Sequence, residues 1–391
     1  MNTENDFFMN IDFLPEIIAL RRQFHQIPEI AGKEFKTCAL IRETLSQIEG
    51  VEVLPPFLET DTVALIKGEK GDGPHILLRA DIDGLPVAEE SGCDFPSCHE
   101  GMMHACGHDM HISILIGAVR ILAARRKEFC GTVRCVFQPG EENKAMAREL
   151  IAAGAMGDPL PEVCAALHVM PGKPVGDISV KEGAMMASSN HFKVTIHGQG
   201  GHGSLPCASR NPLIAAASMV MELQNVVPNR VDPRRSGVLS ICRLVSGEID
   251  NIIPETAEFS GTMRSLDNET AKIMENAVHE ICHAAAVIHR VRCDVLTNQC
   301  YLATCNAPEP TRRLCKVVKD LEIPLHILED SAMSSEDFSF YLDKVPGVFF
   351  RLGAGEEMVS LHNPSFFPPE EVMENGIKVM TAFALESLKT E

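Results

Sequence analysis

The order of helical and strand-like segments predicts an α/β fold, in which helices flank a mixed, largely parallel sheet. Apolar residues recur at helical spacing over 35–48, and short apolar runs typical of buried strands follow over 62–66 and 75–79. Strands and helices continue to alternate over 111–126 (helix), 132–137 (strand), 144–155 (helix) and 163–167 (strand), and helices return over 311–321 and 370–388. Strands separated by helices of this length usually pair in parallel and are covered on both faces.

A second pattern begins near residue 188 and predicts an inserted domain. From His191 onward, Phe192, Val194 and Ile196 alternate with polar residues, as in a strand that is buried on one face. A helix over 212–227, strands over 237–245 and 256–263, and a helix over 268–288 suggest the order β-α-β-β-α-β. We therefore expect a two-layer α+β domain over 188–300, inserted into a larger domain formed by 1–187 and 301–391.

Composition and charge exclude several classes of partner. The chain has 391 residues, of which 45% are hydrophobic and 23% charged, as in an ordinary globular protein. The 54 acidic residues outnumber the 35 Lys and Arg residues and give a formal net charge of -19. This charge repels phosphate backbones and anionic membrane surfaces, so neither nucleic acid nor a membrane is an expected partner.

The cysteines indicate a reducing environment rather than a disulfide framework. The 14 cysteines are scattered, and some lie in apolar segments, as Cys135 does in 133–137. Free buried thiols fit a cytoplasmic protein, and the acidic first residues do not resemble an export signal.

Residues 103–111 hold the densest set of potential metal ligands in the chain. They read Met-His-Ala-Cys-Gly-His-Asp-Met-His, and Cys106 and His108 offer a thiolate and an imidazole on either side of one glycine. Both groups bind zinc-like divalent ions, and glycine can take backbone angles that let the two side chains converge. A Cys and a His this close also occur by chance, so this segment alone leaves metal binding and a structural role as alternatives.

Further ligand types follow the predicted strands or lie in short loops. They are Asp81, Glu141, Glu142, His168, His202 and His362. Open α/β sheets place their sites at the carboxyl ends of strands, which is where the first four residues fall. Each residue alone would also suit a solvated surface or a satisfied core position, so the joint arrangement carries the argument.

That joint arrangement resembles a known family over nearly the whole chain. The matching segments are 22–29, 79–86, 105–108, 138–142, 167–169, 201–203, 251–254, 261–264, 335–338 and 361–364. Their residues and order resemble the metallo-amidohydrolase and peptidase family that includes hippurate hydrolase, N-acyl amino acid amidohydrolases, N-acetyldiaminopimelate deacetylases and plant auxin-conjugate hydrolases. The Cys-Gly-His form of the metal segment resembles the branch that acts on N-acyl amino acids.

The resemblance implies a zinc-peptidase-like catalytic domain over 1–187 and 301–391, with two divalent ions. The implied metal ligands are Cys106, His108, Glu142, His168 and His362. Glu141, which binds no metal in this scheme, is the implied general base that takes a proton from the attacking water. The donor types favour zinc, cobalt or nickel, whereas relatives are often assigned manganese, so the metal identity stays open.

The resemblance also implies supporting and substrate-binding residues. Asp81 would orient an imidazole or the base, with a turn cap as the alternative, and Asp337 is either a helix cap or a partner of the site. His202 would stabilise the oxyanion in the active site of a partner subunit, which requires a homodimer or higher homo-oligomer. Asn251 and Arg264 would hold the substrate carboxylate, with a plain surface charge as the alternative for Arg264.

These residues predict a metal-dependent hydrolase that cleaves the amide bond of a small N-acyl amino acid. The alternative within the family is a dipeptidase or aminopeptidase. A non-catalytic metal-binding protein is a third possibility, which the intact Glu141 disfavours, and a structural zinc cluster is excluded because the sequence has no Cys-x-x-Cys pair. Segments 143–148 and 207–211 depart from the family pattern, and their effect on the substrate pocket cannot be predicted.

Overall fold

The computed structural model describes residues 11–389. Its α-helices are α1 (Leu14–Gln26), α2 (Phe35–Ser46), α3 (His108–Ala124), α4 (Ala147–Ala152), α5 (Pro212–Leu223), α6 (Val226–Arg230), α7 (Asn268–His289), α8 (Pro308–Asp320), α9 (Ser339–Leu342) and α10 (Val372–Ser387). Its strands are β1 (Val51–Val53), β2 (Thr62–Lys67), β3 (His75–Asp81), β4 (Thr132–Gln138), β5 (Val163–Met170), β6 (Ile178–Val180), β7 (Gly183–Met186), β8 (Ser189–His197), β9 (Gly201–His202), β10 (Gly237–Ser246), β11 (Ile252–Ile253), β12 (Thr256–Ser265), β13 (Arg292–Tyr301), β14 (Thr304–Asn306), β15 (Leu325–Ile327) and β16 (Gly347–Gly353).

Of the described residues, the first of two compact units contains those from 11 to 183, those of Cys305–Asp330 and those from 337 to 389. Its sheet has the strand order β1-β2-β4-β3-β5-β16-β6-β15. The central pairs β4-β3, β3-β5 and β5-β16 are parallel, as is β6-β15, whereas β1-β2, β2-β4 and β16-β6 are antiparallel. The parallel centre brings the carboxyl ends of β3, β4 and β5 to one edge, where the candidate site lies.

Both faces of this sheet are buried. On one face, Ile76 and Leu78 of β3 and Phe350 of β16 join a core cluster that also includes apolar residues of α3 and α10. Helix α3 packs closely on α10, because a side chain added at Gly117 would begin 2.6 Å from Ile377. The apolar run over 112–119 is therefore buried on all sides, which explains why it shows no amphipathic pattern.

The opposite face of the same sheet is covered by short segments. Phe338 and Phe349 are both fully buried, with ring centroids 6.2 Å apart, and Tyr341 of α9 stacks on Phe338. Arg79 and Asp81 are also buried, but they lie outside the main apolar cluster, and their side chains bind other polar groups.

The second compact unit, Ala184–Thr304 with Ser331–Glu336, is a two-layer α+β structure. Its antiparallel sheet has the order β10-β12-β8-β13. Phe192, Val194 and Ile196 of β8 are buried against α5 and α7, while the alternate residues, such as Lys193, are exposed. The period-two alternation thus corresponds to one face against helices and one face against solvent.

The structure confirms the predicted fold class, with differences at several elements. Helix α4 begins at Ala147 instead of 144, because Asn143 and Ala145 adopt positive φ angles of 63° and 51°. The helix predicted over 212–227 breaks into α5 and α6. Among residues 11–389, no helix combines the length and the apolar character needed to cross a membrane.

Candidate metal centre

The candidate centre is built where β3, β4 and β5 end and α3 begins. Gly107 precedes α3 with a φ of +80°, and a side chain there would begin 2.4 Å from Val169. Only glycine suits both the left-handed backbone and the close approach to Val169. This turn presents Cys106 and His108 to the end of β5, where Cys106 Sγ lies 3.4 Å from His168 Nε2.

The structure brings all five sequence-predicted metal ligands together. Ligand atoms of Cys106, His108 and Glu142 lie within 4.8 Å of one another, and His108 belongs to a second such group with His168. His362 Nε2 lies 2.9 Å from Glu142 Oε1, and the backbone NH of His362 donates to the carbonyl of Ala105 at 2.8 Å. His362 is 52% exposed, so the centre opens to solvent on that side.

Two buried histidines each direct one ring nitrogen into the centre, which shows that the donor set suits a metal. His108 Nδ1 lies 2.9 Å from the carbonyl of Asp83, while its buried Nε2 has no hydrogen-bond partner among the described residues. His168 Nδ1 lies 2.6 Å from the carbonyl of Val169, which leaves Nε2 directed at Cys106. An imidazole held at one nitrogen by a carbonyl and open at the other is the arrangement found in metal-ligating histidines.

The electrostatics of the centre favour a cation. Burial and the negative charges of Glu142 and Glu141 raise the pKa of the Cys106 thiol well above its ordinary value. Burial lowers the pKa of His108, but Asp81 and Asp83 outweigh it and raise the pKa to about 10. Without a metal both groups therefore hold protons at neutral pH. A divalent cation would have to displace these protons, so its binding should strengthen as the pH rises.

Asp81 connects the centre to a buried network. Its Oδ1 accepts from His111 Nδ1 at 2.6 Å, and its Oδ2 accepts from Arg79 at 2.9 Å and lies 3.6 Å from His108 Nε2. Burial lowers the pKa of His111, and its neutral ring also accepts from the backbone NH of Val169 at 2.9 Å. Both nitrogens of His111 are therefore used in support, which makes it a poor metal ligand.

Asp337 extends this network on its far side. It accepts from Arg79 at 2.7 Å, from Gln138 at 2.7 and 2.9 Å, and from the backbone NH of Ala147 at 3.1 Å. Its side chain thus binds the first residue of α4, while the neighbouring helix α9 has no side-chain cap. Of the two interpretations left open for Asp337, the partner of the site fits its bonds, because Asp337 reaches Asp81 through Arg79. It does not cap the helix that follows its own segment, and the helix start that it contacts is that of α4.

Two buried carboxylates hold the loop that carries Glu141 and Glu142. Asp83 accepts from the backbone NH of Glu141 at 3.1 Å and of Glu142 at 2.9 Å. Glu34 accepts from the backbone NH of Gly140 at 2.9 Å. Glu141 is 8% exposed, and one of its carboxylate oxygens lies within 4.8 Å of one from Asp337. The role of Glu34 was not predicted, because no local sequence pattern indicates it. A charged residue within an apolar strand, as Arg79 is, could have indicated the buried polar network.

The remaining predicted residues lie in the second unit. His202 is exposed, and its Nδ1 accepts from the backbone NH of Ser204 at 3.1 Å, so the neutral ring carries its proton on Nε2. Asn251 adjoins His202, because its carbonyl accepts from the NH of Gly203 at 2.8 Å. β12 begins at Thr256, shortly after Asn251, and Arg264 lies eight residues further on, which corresponds to about 26 Å along the strand at about 3.3 Å per residue. One chain therefore brings His202 and Asn251 together but not Arg264.

Comparisons with known proteins agree with this centre. Residues 77–386 match the model of peptidase family M20/M25/M40. The chain is 33% identical over 378 residues to thermostable carboxypeptidase 2 of Saccharolobus solfataricus, with 95% of each chain covered. It is 35% identical over 376 residues to an N-acetyldiaminopimelate deacetylase of Streptococcus thermophilus, covering 94% of this chain and 97% of the relative.

A solved structure gives the same result for the fold. A Bacillus subtilis dinuclear metal-binding peptidase of family M20 superposes with a TM-score of 0.83 at 32% identity, covering 96% of this chain and 98% of that one. With its ligand-rich strand ends, its inserted two-layer unit and these matches, the chain belongs to the peptidase family M20/M25/M40 and is a metal-dependent hydrolase.

Proposed function

We propose that the protein hydrolyses the amide bond of N-acyl amino acids, with two divalent ions held by the five clustered ligands. This proposal rests on one observation: a thiol, three imidazoles and the carboxylate of Glu142 lie close together, and Glu141 is the adjacent residue in the same loop. The ligands are Cys106, His108, Glu142, His168 and His362. Bound there, two divalent ions would lower the pKa of a water molecule and polarise the amide carbonyl.

Glu141 is the group that moves the proton. It accepts a proton from the attacking water and passes it to the departing amine, which gives a carboxylic acid and a free amino acid. Asp83 fixes the backbone NH groups of Glu141 and Glu142 with its two oxygens, so the base and the ligand keep separate positions. Burial to 8% exposure limits the water around Glu141 and strengthens its interactions with charge.

His202 supplies a hydrogen bond to the oxyanion in this proposal. Its Nδ1 accepts from Ser204, so Nε2–H is the donor available to a developing negative charge. Asn251 lies beside His202, whereas Arg264 is distant along β12. A substrate carboxylate that needs both Asn251 and Arg264 would therefore take them from two chains, which supports a homodimer with composite active sites.

Two arguments favour an N-acyl amino acid over a peptide. The Cys-Gly-His segment at 106–108 resembles the branch that acts on such amides, and a 35% identical relative is named as a deacetylase. A carboxypeptidase relative at 33% identity keeps peptides as the second candidate. Both substrate classes end in a carboxylate, for which a planar guanidinium such as that of Arg264 is suited.

A matched pair of substrates tests the proposal. 3-Phenylpropionyl-glycine and phenylalanyl-glycine differ only in an α-ammonium group, so their kcat/KM ratio reports acyl against peptide preference directly. The protein is loaded separately with zinc, manganese, cobalt or nickel, and its metal content is measured by elemental analysis. We expect the acyl compound to be cleaved at least tenfold faster. A preference of orders of magnitude for the dipeptide would overturn the proposal in favour of a dipeptidase.

A further inference from the structure

We propose that His25, Glu89 and Cys93 bind one divalent transition-metal ion of the zinc or cobalt type, at a site separate from the Cys106 centre. The three residues come from α1 and from the loop between β3 and α3, and none of them is a ligand of that centre. Their ligand atoms lie within 4.8 Å of one another. A thiol, an imidazole and a carboxylate are the donor types that zinc prefers.

The distances fit a tetrahedral ion with little movement. His25 Nε2 lies 3.0 Å from Glu89 Oε1, and Cys93 Sγ lies 3.5 Å from the same oxygen. At usual zinc bond lengths, tetrahedral nitrogen and oxygen ligands stand about 3.3 Å apart, and sulfur and oxygen ligands about 3.5 Å apart. The His25–Glu89 pair has to open by about 0.3 Å, and the ion would displace the Ser91 hydroxyl, which donates to the same oxygen of Glu89.

Two of the ligands are already oriented by other groups. His25 Nδ1 lies 2.9 Å from Asp109 Oδ2, which leaves Nε2 for the ion, and Arg21 Nε holds Asp109 at 2.8 Å. The second oxygen of Glu89 accepts from the backbone NH of Ser97 at 2.6 Å. A carboxylate behind a metal-binding histidine fixes its tautomer and increases its basicity.

The charges around the site also suit a cation. Burial lowers the pKa of His25, but the hydrogen bonds and charges of Asp109 and Glu89 outweigh burial and raise the pKa. The carboxylates of Asp109 and Glu89 place two negative charges here, against the one positive charge of Arg21. A divalent ion would displace protons from its histidine and cysteine ligands as it binds, so its binding should strengthen as the pH rises.

Access and surroundings also suit a metal. His25 is buried, and the rings of Phe95 and Phe367 meet its edge at centroid distances of 5.8 and 5.4 Å. Cys93 is only half-buried, so an ion can reach it from solvent, and a water molecule would be the fourth ligand. The Phe95 and Phe367 rings thus shield His25, the guanidinium of Arg21 stacks on both rings, and the side of the site formed by Cys93 stays open.

Cobalt absorption tests the inference without using activity. Cobalt bound to a thiolate absorbs in the near ultraviolet, so the Cys106→Ser variant, which removes the thiolate of the main centre, is saturated with Co²⁺. We expect this variant to keep thiolate–cobalt absorption equivalent to one ion per chain. Adding Cys93→Ser should abolish the band, and adding Cys98→Ser, a control in the same loop, should leave it intact.

A second set of variants, made in the otherwise wild-type chain, keeps the test valid if Cys106→Ser misfolds. In the otherwise wild-type chain, Cys93→Ser should remove the absorption of one of two thiolate–cobalt bonds, and Glu89→Gln should weaken Co²⁺ binding at that site by about 10-fold or more. The inference is overturned if Cys93→Ser leaves the absorption of the otherwise wild-type chain undiminished, or if the band of Cys106→Ser survives the addition of Cys93→Ser. Hydrolysis does not enter this readout, so either proposal can fail while the other stands.

Discussion

The substitution Glu34→Gln should remove a large pH dependence of stability. Glu34 is fully buried, its Oε1 accepts from the backbone NH groups of Gly32 and Gly140 at 2.9 Å, and its Oε2 accepts from Thr60 Oγ1 at 2.9 Å. Glutamine can keep both bonds to the backbone and donate its amide group to Thr60. It therefore mimics the protonated acid without being able to ionise.

The magnitude follows from the pKa of this carboxyl. Burial and the charge of Asp83 outweigh the hydrogen bonds and raise the pKa of Glu34 from 4.5 to about 7. Below pH 4.5 the group is protonated in both the folded and the unfolded chain. Between 4.5 and about 7 the unfolded chain releases a proton that the folded chain keeps, so the free energy of unfolding falls by about 1.4 kcal/mol per pH unit, or about 3 kcal/mol in total.

Urea unfolding at several pH values measures this effect. Wild type and Glu34→Gln are compared from pH 4.5 to 8 in the presence of a chelator, which removes the pH dependence of metal binding from both. We expect Glu34→Gln to gain about 3 kcal/mol relative to wild type across this range. Glu43→Gln, which replaces an exposed glutamate, is the control for the loss of one carboxylate at any position. If wild type and Glu34→Gln give parallel curves, the ionisation argument for Glu34 is wrong.

Three further predictions address the centre. Asp81→Asn should weaken metal affinity by about 10- to 100-fold, because it removes a negative charge 3.6 Å from His108 Nε2 and weakens the bond to His111; unchanged affinity in a metal titration would contradict this. Gly107→Ala should lower the free energy of unfolding by about 2 kcal/mol or more in urea, because of its positive φ and the contact with Val169, and a neutral effect would be incompatible with that turn. Mixing His202→Gln chains with Glu141→Gln chains should restore about a quarter of the wild-type rate, since random pairing completes about one site in four; no gain over either variant alone would argue against sites shared between chains.

The sequence was sufficient to predict the fold class because local patterns carry it. Phe192, Val194 and Ile196 mark their strand by alternation alone, and the glycine between Cys106 and His108 indicated the turn that the structure contains. These signals depend on neighbours within a few residues. They can therefore be recognised without knowing how the rest of the chain packs.

Other features could not be predicted because they depend on distant residues. Arg79 and Asp337 pair across 258 positions, and Glu34 reaches Gly140 across 106. Helix α4 starts late because Asn143 and Ala145 take left-handed angles, which the apolar pattern does not encode. The buried strand β16, Gly347–Gly353, was not predicted, although its short apolar run is of the same kind as those over 62–66 and 75–79.

The central claim is that Glu141 moves the proton while its neighbours hold the metal. The most direct measurement compares wild type with Glu141→Gln for metal content per chain and for the rate of hydrolysis of one N-acyl amino acid. The account predicts a fall in kcat of about 10²–10⁴ with unchanged metal content. Equal rates in the two proteins, or loss of metal together with activity, would contradict it.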